Sequence, residues 1–251
     1  MGTLDNKVAI VTGAGQGVGE GIALALCDAG AAVVAAGRTL SKVEDTVAQI
    51  EGRGGRGLAL ACDVNDAASL ENCVQRTLEH FGGIQILVNN AQQVPLGPLL
   101  GVSDEDFSLG FNSGPLATFR MMKLCHPHLV GDGCVINLAS SAGRRWDMTN
   151  YGAYGAVKEA IRVLTRAAAC EWGPDNIRCN AILPHATSPG LKWWIENNPE
   201  EAEEFIASIP LRKVGDCEQD IGRFVALLCS ADAGYVSGQS IALDGGQALI
   251  G

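Results

Sequence analysis

Apolar residues along the chain gather in short, nearly continuous runs at positions 7–12, 31–36, 58–64, 84–90, 134–139, 177–183 and 240–244. A strand with one wet face alternates apolar and polar residues, whereas a strand buried on both faces does not. The pattern therefore predicts a parallel sheet of seven strands with helices above and below. Segments 41–51 and 67–80 are long enough for crossover helices, and 20–28 predicts a helix straight after the first strand. No repeat, low-complexity tract or linker divides the chain. One α/β domain over 1–251 is expected.

Composition narrows the class without changing the fold. Apolar residues make up 47% and charged residues 18%, which suits a large buried core. The formal charge of −10 argues against a nucleic-acid partner, which requires a basic face. Nine cysteines, odd in number and without a C-x-x-C pair, suit a reducing setting and predict a cytoplasmic protein. Residues 1–7 contain no apolar h-region, and Asn6 breaks the myristoylation pattern, so neither a secretory signal nor a lipid anchor is expected. No apolar run approaches the roughly 18 residues of a membrane span.

Three stretches carry candidate chemistry. After the first run comes Thr12-Gly13-Ala14-Gly15-Gln16-Gly17-Val18-Gly19, with Gly13, Gln16, Gly17, Val18 and Gly19 as candidate phosphate contacts. Glycines between a strand and a helix let the backbone approach a pyrophosphate at the positive helix end. The second run ends on Gly37, not on the carboxylate that would receive ribose hydroxyls, and Arg38 follows. A guanidinium there suits a 2′-phosphate and favours NADP(H), with NAD(H) possible; stacking on adenine or pairing with Glu44 or Asp45 are its other uses. Tyr154 and Lys158 are four residues apart, one turn apart on a helix face. An ammonium beside a phenol is expected to lower its pKa, giving a proton donor and acceptor near neutral pH. His126-Pro127-His128 lacks a third ligand at plausible spacing, and no metal site is expected.

In order along the chain stand Thr12-Gly13-x-x-x-Gly17-x-Gly19, Asp63-Val64, Asn89-Asn90-Ala91, a serine after the fifth run, Tyr154-x-x-x-Lys158 and Asp244-Gly245-Gly246. In these motifs the chain resembles the short-chain dehydrogenase/reductase family over almost its whole length. The resemblance implies a seven-stranded Rossmann fold, a nicotinamide cofactor, a secondary alcohol or ketone substrate, and a homotetramer or homodimer. It implies Tyr154 as acid/base, Lys158 as its partner and ribose ligand, and Ser140 as the serine that polarises the substrate oxygen, with Ser141 adjacent and the choice open. Asn112 would orient a water-linked proton path, or serve as a helix kink or cap. Asp63 and Val64 would meet adenine, Asn90 and Ala91 the ribose side, and Pro184 the nicotinamide.

Three positions depart from the family pattern. Gln92 stands where a glycine is usual and puts an amide near the substrate; His185 replaces the glycine after Pro184; and Thr187 or Ser188 must stand in for the threonine that holds the carboxamide. Residues 185–214 would fold over the substrate as a lid, with Trp193 and Trp194 either capping it or packing the lid onto the body. Phe205, Ile206 and Ile209 from the lid, with Leu96, Leu99 and Trp146, are further candidates for the pocket wall. A 3-oxoacyl-[acyl-carrier-protein] reductase is the alternative enzyme; its acidic carrier would need Arg144, Arg145, Arg212 or Lys213. A catalytically weak nucleotide-binding oligomer is the alternative of another class.

Overall fold

A computed structural model describes residues 2–143 and 150–248. Its strands are β1 (Val8–Thr12), β2 (Ala32–Gly37), β3 (Gly57–Ala61), β4 (Ile86–Asn89), β5 (Gly133–Leu138), β6 (Ile177–Pro184) and β7 (Ser240–Leu243). They form one parallel sheet in the order β3-β2-β1-β4-β5-β6-β7. The helices are α1 (Gly17–Asp28), α2 (Leu40–Gly52), α3 (Ala67–Phe81), α4 (Asp104–Phe111), α5 (Ala117–Leu129), α6 (Gly152–Glu171), α7 (Pro189–Asn197), α8 (Pro199–Ser208) and α9 (Arg223–Cys229).

Alternate residues of each inner strand feed cores on opposite faces. Ala9, Val11, Val33 and Ile86 join Ile22 and Leu26 of α1 and Val225 of α9 on one side. Ile10, Val34 and Leu87 join Leu70 of α3 and Met121 of α5 on the other. Edge strands β3 and β7 are only half-buried, so the expectation of burial on both faces holds for the inner strands alone. Seven of the nine cysteines are buried, Cys170 is exposed, Cys217 lies between, and all are free thiols.

Local chemistry sets the helix ends. Asp66 caps α3 by accepting from Ala68 N at 3.0 Å, and Gly82, at φ 81°, ends it. α1 begins at Gly17, three residues earlier than the apolar pattern implied, because Gln16 stays extended and the glycines enter the first turn. β3 likewise stops at Ala61, leaving Asp63 and Val64 in the loop beyond it. Between α4 and α5 the helix widens into a π turn, Asn112–Leu116. Pro115 inside it has no N–H to give Phe111, and its ring would clash with that carbonyl.

The sheet order reverses between β1 and β4, so their carboxyl ends diverge and open a crevice. The glycine loop follows β1 and Asn90-Ala91 follow β4 at those ends, while Arg38 follows β2 and Asp63 lies beyond β3.

Candidate active site

The glycine loop is built to tolerances that a side chain would break. Gly13 has φ 68°, and a Cβ there would stand 2.6 Å from Asn90 Nδ2. At Gly19 a Cβ would collide with the Gly13 carbonyl and the Asn90 amide. Asn90 braces the loop by donating from Nδ2 to the carbonyls of Thr12 (2.9 Å) and Gly13 (3.1 Å). Gln16 gives α1 no side-chain cap and instead accepts from Lys42 Nζ at 2.6 Å. The first-turn N–H groups of α1 thus lack a side-chain acceptor, the condition in which a helix start receives an anion. Val18 is half-buried in that turn, and Gly17, at φ 59°, lies under Pro189, the first residue of α7.

At the adenosine end Gly37 closes β2 and Arg38 is exposed; among the described residues neither Glu44 nor Asp45 pairs with it. Asp63 Oδ1 accepts from Asn65 N at 3.0 Å and from Asn65 Nδ2 at 3.1 Å. Val64 is buried, and Asn65 Oδ1 is a buried acceptor with no donor among the described residues. That orphaned oxygen and the tight glycine cradle fit a nucleotide with a pyrophosphate and an amino-bearing base.

At the reacting end α6 sets Tyr154 and Lys158 on one face. Lys158 is buried and donates to the Leu138 carbonyl at 2.6 Å, with its Nζ 5.5 Å from the centre of the Tyr154 ring. Tyr154 is half-buried, and the nearby Ser140 hydroxyl favours its ionised phenol against the effect of burial. Ser140 Oγ also accepts from Ala142 N at 3.2 Å, whereas Ser141 is buried and opens a short 3-10 turn. Of the two serines, Ser140 meets the phenol.

The electrostatics differ from the sequence expectation. Burial lowers Lys158 to about 7. Burial also raises Tyr154 to about 12, against a smaller lowering by Ser140. The ammonium therefore does not by itself make the phenol acidic: desolvation outweighs a neighbour whose proton is directed to a backbone carbonyl.

Several supporting residues gave no signal as chemistry. Asn89 Nδ2 donates to Asn137 Oδ1 at 2.9 Å, and Asn137 Nδ2 donates to Thr165 Oγ1 at 2.9 Å. This buried chain ties β4, β5 and α6 together. Asparagine in the middle of an apolar strand was the available clue, because a buried amide requires partners. Asn112 is exposed, ends α4 and starts the π turn, its carbonyl accepting from Ala117 N; the kink reading is realised in the backbone.

The segment expected as a lid, 185–214, carries α7 and α8. It leaves β6 after half-buried Pro184 and returns where Ala186 bridges Gly215. His185 packs edge-on against Phe205 at 5.3 Å, and Phe205 against Trp194 at 5.7 Å. Trp193 is 63% exposed and stands outside this aromatic group, to which Trp194 alone of the pair belongs. Ile209 is fully buried and anchors the lid, while Ile206 lines a groove with Ile195 and Arg212. Thr187 Oγ1 donates to Gly215 O at 3.3 Å, and Ser188 Oγ caps α7 through Leu191 N at 3.3 Å. Both hydroxyls proposed to replace the missing threonine thus already serve the lid backbone. Leu99 lies against Gly152 at the start of α6, and Leu96 is exposed. The Gln92 amide, expected near the substrate, lies beside Gly114 and Val157. Trp146, Arg144 and Arg145 lie outside the described residues.

Comparison with known proteins agrees with this geometry. The family model described as enoyl-(acyl carrier protein) reductase matches residues 13–248. A 12alpha-hydroxysteroid dehydrogenase from Clostridium sp. (strain ATCC 29733 / VPI C48-50) is 41% identical, over 98% of each chain. Among solved structures, a 7 alpha-hydroxysteroid dehydrogenase complexed with NADH and 7-oxo glycochenodeoxycholic acid superposes with TM-score 0.91. It is 31% identical, over 98% of this chain and 95% of that one. A dehydrogenase/reductase from Sinorhizobium meliloti 1021 has TM-score 0.89 and 30% identity, over 97% of this chain and 96% of that one.

The chain belongs to the short-chain dehydrogenase/reductase family. It is an NAD(P)(H)-dependent oxidoreductase that interconverts a secondary alcohol and a ketone, the bound nicotinamide nucleotide supplying or accepting the hydride. Membership explains why a glycine loop, a β4 asparagine and a helix-borne Tyr–Lys pair converge on one crevice. Among the described residues no helix is long and apolar enough to cross a membrane. Nor does any group of three His, Cys, Asp or Glu residues there suit a metal ion; His126 is engaged with Asp175 at 3.0 Å.

Proposed function

We propose that the substrate is a bulky, mostly apolar ring alcohol or ketone of the hydroxysteroid class, and that NADP(H) is preferred over NAD(H). The observation that carries the chemistry is the Tyr154 phenol near the Ser140 hydroxyl and one turn from buried Lys158. The 41% identity to a 12alpha-hydroxysteroid dehydrogenase supports the substrate class. So do exposed Leu96 and Leu99 in the segment after β4 and the Phe205–Trp194 contact within 185–214.

In the reducing direction Ser140 donates a hydrogen bond to the carbonyl oxygen, and Tyr154 gives that oxygen its proton. Asn112 and Lys158 serve the return of the proton from solvent. The oxidised nicotinamide, when bound, would supply a positive charge opposing the rise that burial imposes on Tyr154. Gly13, Gln16, Gly17, Val18 and Gly19 would hold the pyrophosphate, and Asp63 and Val64, with Asn65, the adenine. Asn90, Ala91, Tyr154 and Lys158 would hold the ribose side, and Pro184 and Thr187 the nicotinamide. Arg38, joined by Lys42, would receive a 2′-phosphate: Lys42 Nζ already reaches Gln16 in the loop, and no carboxylate stands at Gly37 to repel it.

The whole chain acts as one unit with 185–214 as lid. Its nine free thiols support a reducing, cytoplasmic location. Exposed Phe119 on α5 and Val163 on α6 support a homotetramer or homodimer, which a mass of one chain in light scattering would refute.

A panel of steroid and simple ketones with NADPH or NADH, followed at the nicotinamide absorbance, tests the reading. Turnover on steroid ketones that is lost in Tyr154→Phe is expected. Arg38→Ala should weaken NADPH binding about 10-fold and leave NADH unchanged; equal loss for both would refute the cofactor preference. A second reading, a 3-oxoacyl-[acyl-carrier-protein] reductase, draws on the description of the matching family model. Against it, Lys213 is neutralised by Asp220 at 2.8 Å, and the chain's charge of −10 repels an acidic carrier. Faster turnover of a 3-oxoacyl thioester than of any steroid would favour it. Cofactor binding without turnover on any ketone would favour the weak binding protein.

A further inference from the structure

Gln92 occupies the position where the family pattern has glycine, and its amide is anomalous. Both Oε1 and Nε2 are inaccessible to solvent, and neither meets a hydrogen-bond partner among the described residues. An unsatisfied buried amide group destabilises the native state, and ordered water is the usual remedy. Glycine and valine pack against it. Gln92 Nε2 is 3.3 Å, and Val157 Cγ1 2.8 Å, from the point where a Cβ on Gly114 would stand. A Cβ on nearby Gly110 would likewise meet Val157 Cγ2 at 3.3 Å and Pro95 Cγ at 2.7 Å. Gly114 belongs to the π turn that Asn112 opens, and Val157 sits on α6 between Tyr154 and Lys158. The Gln92 amide therefore lies against the turn that bears Asn112, beside the α6 valine that precedes Lys158.

We propose that Gln92 holds a buried water that extends the proton path from solvent to Lys158, which makes it a positioning residue for the reaction. The proposal rests on Tyr154 as the proton donor. In each reduction the Tyr154 O–H bond breaks and the product O–H bond forms, so the phenolate must regain one proton from solvent. Lys158 gives one N–H to Leu138 and can pass another toward the phenolate. An amide that both donates and accepts can orient a water on the side from which Lys158 is resupplied.

Gln92→Leu keeps the volume and removes both polar atoms, whereas Gln92→Glu keeps a water ligand. For Gln92→Leu we expect kcat to fall about 10-fold, with KM and cofactor affinity unchanged and a larger solvent deuterium isotope effect on kcat. Gln92→Glu should recover most of the rate. Wild-type kcat and isotope effect in Gln92→Leu would overturn the proposal, as would a loss that appears in KM alone or equally in both variants. A crystal structure of the wild-type protein supplies an independent arm should Gln92→Leu fail to fold or no ketone turn over. A water within hydrogen-bond distance of the amide is expected; an amide satisfied by protein groups alone would sink the idea. Absence of turnover in the wild type would count against the substrate assignment, while the crystallographic arm would still decide Gln92.

Discussion

Lys158 offers a stringent test of the site's electrostatics, because its burial should be legible in stability as well as in rate. Burial lowers its pKa from the usual 10.5 to about 7. That displacement corresponds to a penalty of roughly 5 kcal/mol on the charged form. Between pH 7 and 10.5 the unfolded chain holds a proton that the native chain has released, so stability rises with pH across that window. Lys158→Met fills similar space without a charge and lacks this dependence. It also orphans the Leu138 carbonyl, at a cost of about 1–3 kcal/mol that does not vary with pH. Urea unfolding of both proteins, without nucleotide, gives the difference at each pH. From about pH 6 to about pH 9 the wild type should gain roughly 2–3 kcal/mol relative to Lys158→Met. Parallel stability curves would refute the argument, since they would mean that Lys158 titrates alike in the native and unfolded chains. Tyr154, raised from 10 to about 12, titrates above this range and does not confuse the comparison.

Two further substitutions probe the geometry. Ser140→Ala should reduce kcat about 100-fold or more, whereas Ser141→Ala, which does not touch the phenol, should leave it within about threefold; steady-state kinetics with one ketone decides, and the reverse order would mean the wrong serine has been assigned. Gly19→Ala drives a methyl into the Gly13 carbonyl and the Asn90 amide, so the loop must shift and nucleotide affinity should fall about 10-fold or more by calorimetric titration; wild-type affinity would refute the close-packed cradle.

Much of this molecule was legible before its coordinates. Double-sided burial leaves a continuous apolar run, and such runs announced each strand of the sheet. Glycine spacing located the phosphate cradle because only glycine fits where a Cβ would strike backbone. The Tyr154–Lys158 interval followed from helix geometry alone, one turn on one face. The tertiary structure decided what depends on neighbours distant in sequence. Which serine meets the phenol turns on how β5 ends. The split of Trp193 from Trp194 turns on how α7 packs against Phe205. The desolvation that drives Lys158 to about 7 and Tyr154 to about 12 is contributed by the whole surrounding core. Periodicity and spacing record what a residue needs from its own segment; proton affinity and side-chain partners are set by the dielectric and the dipoles of every element packed around it.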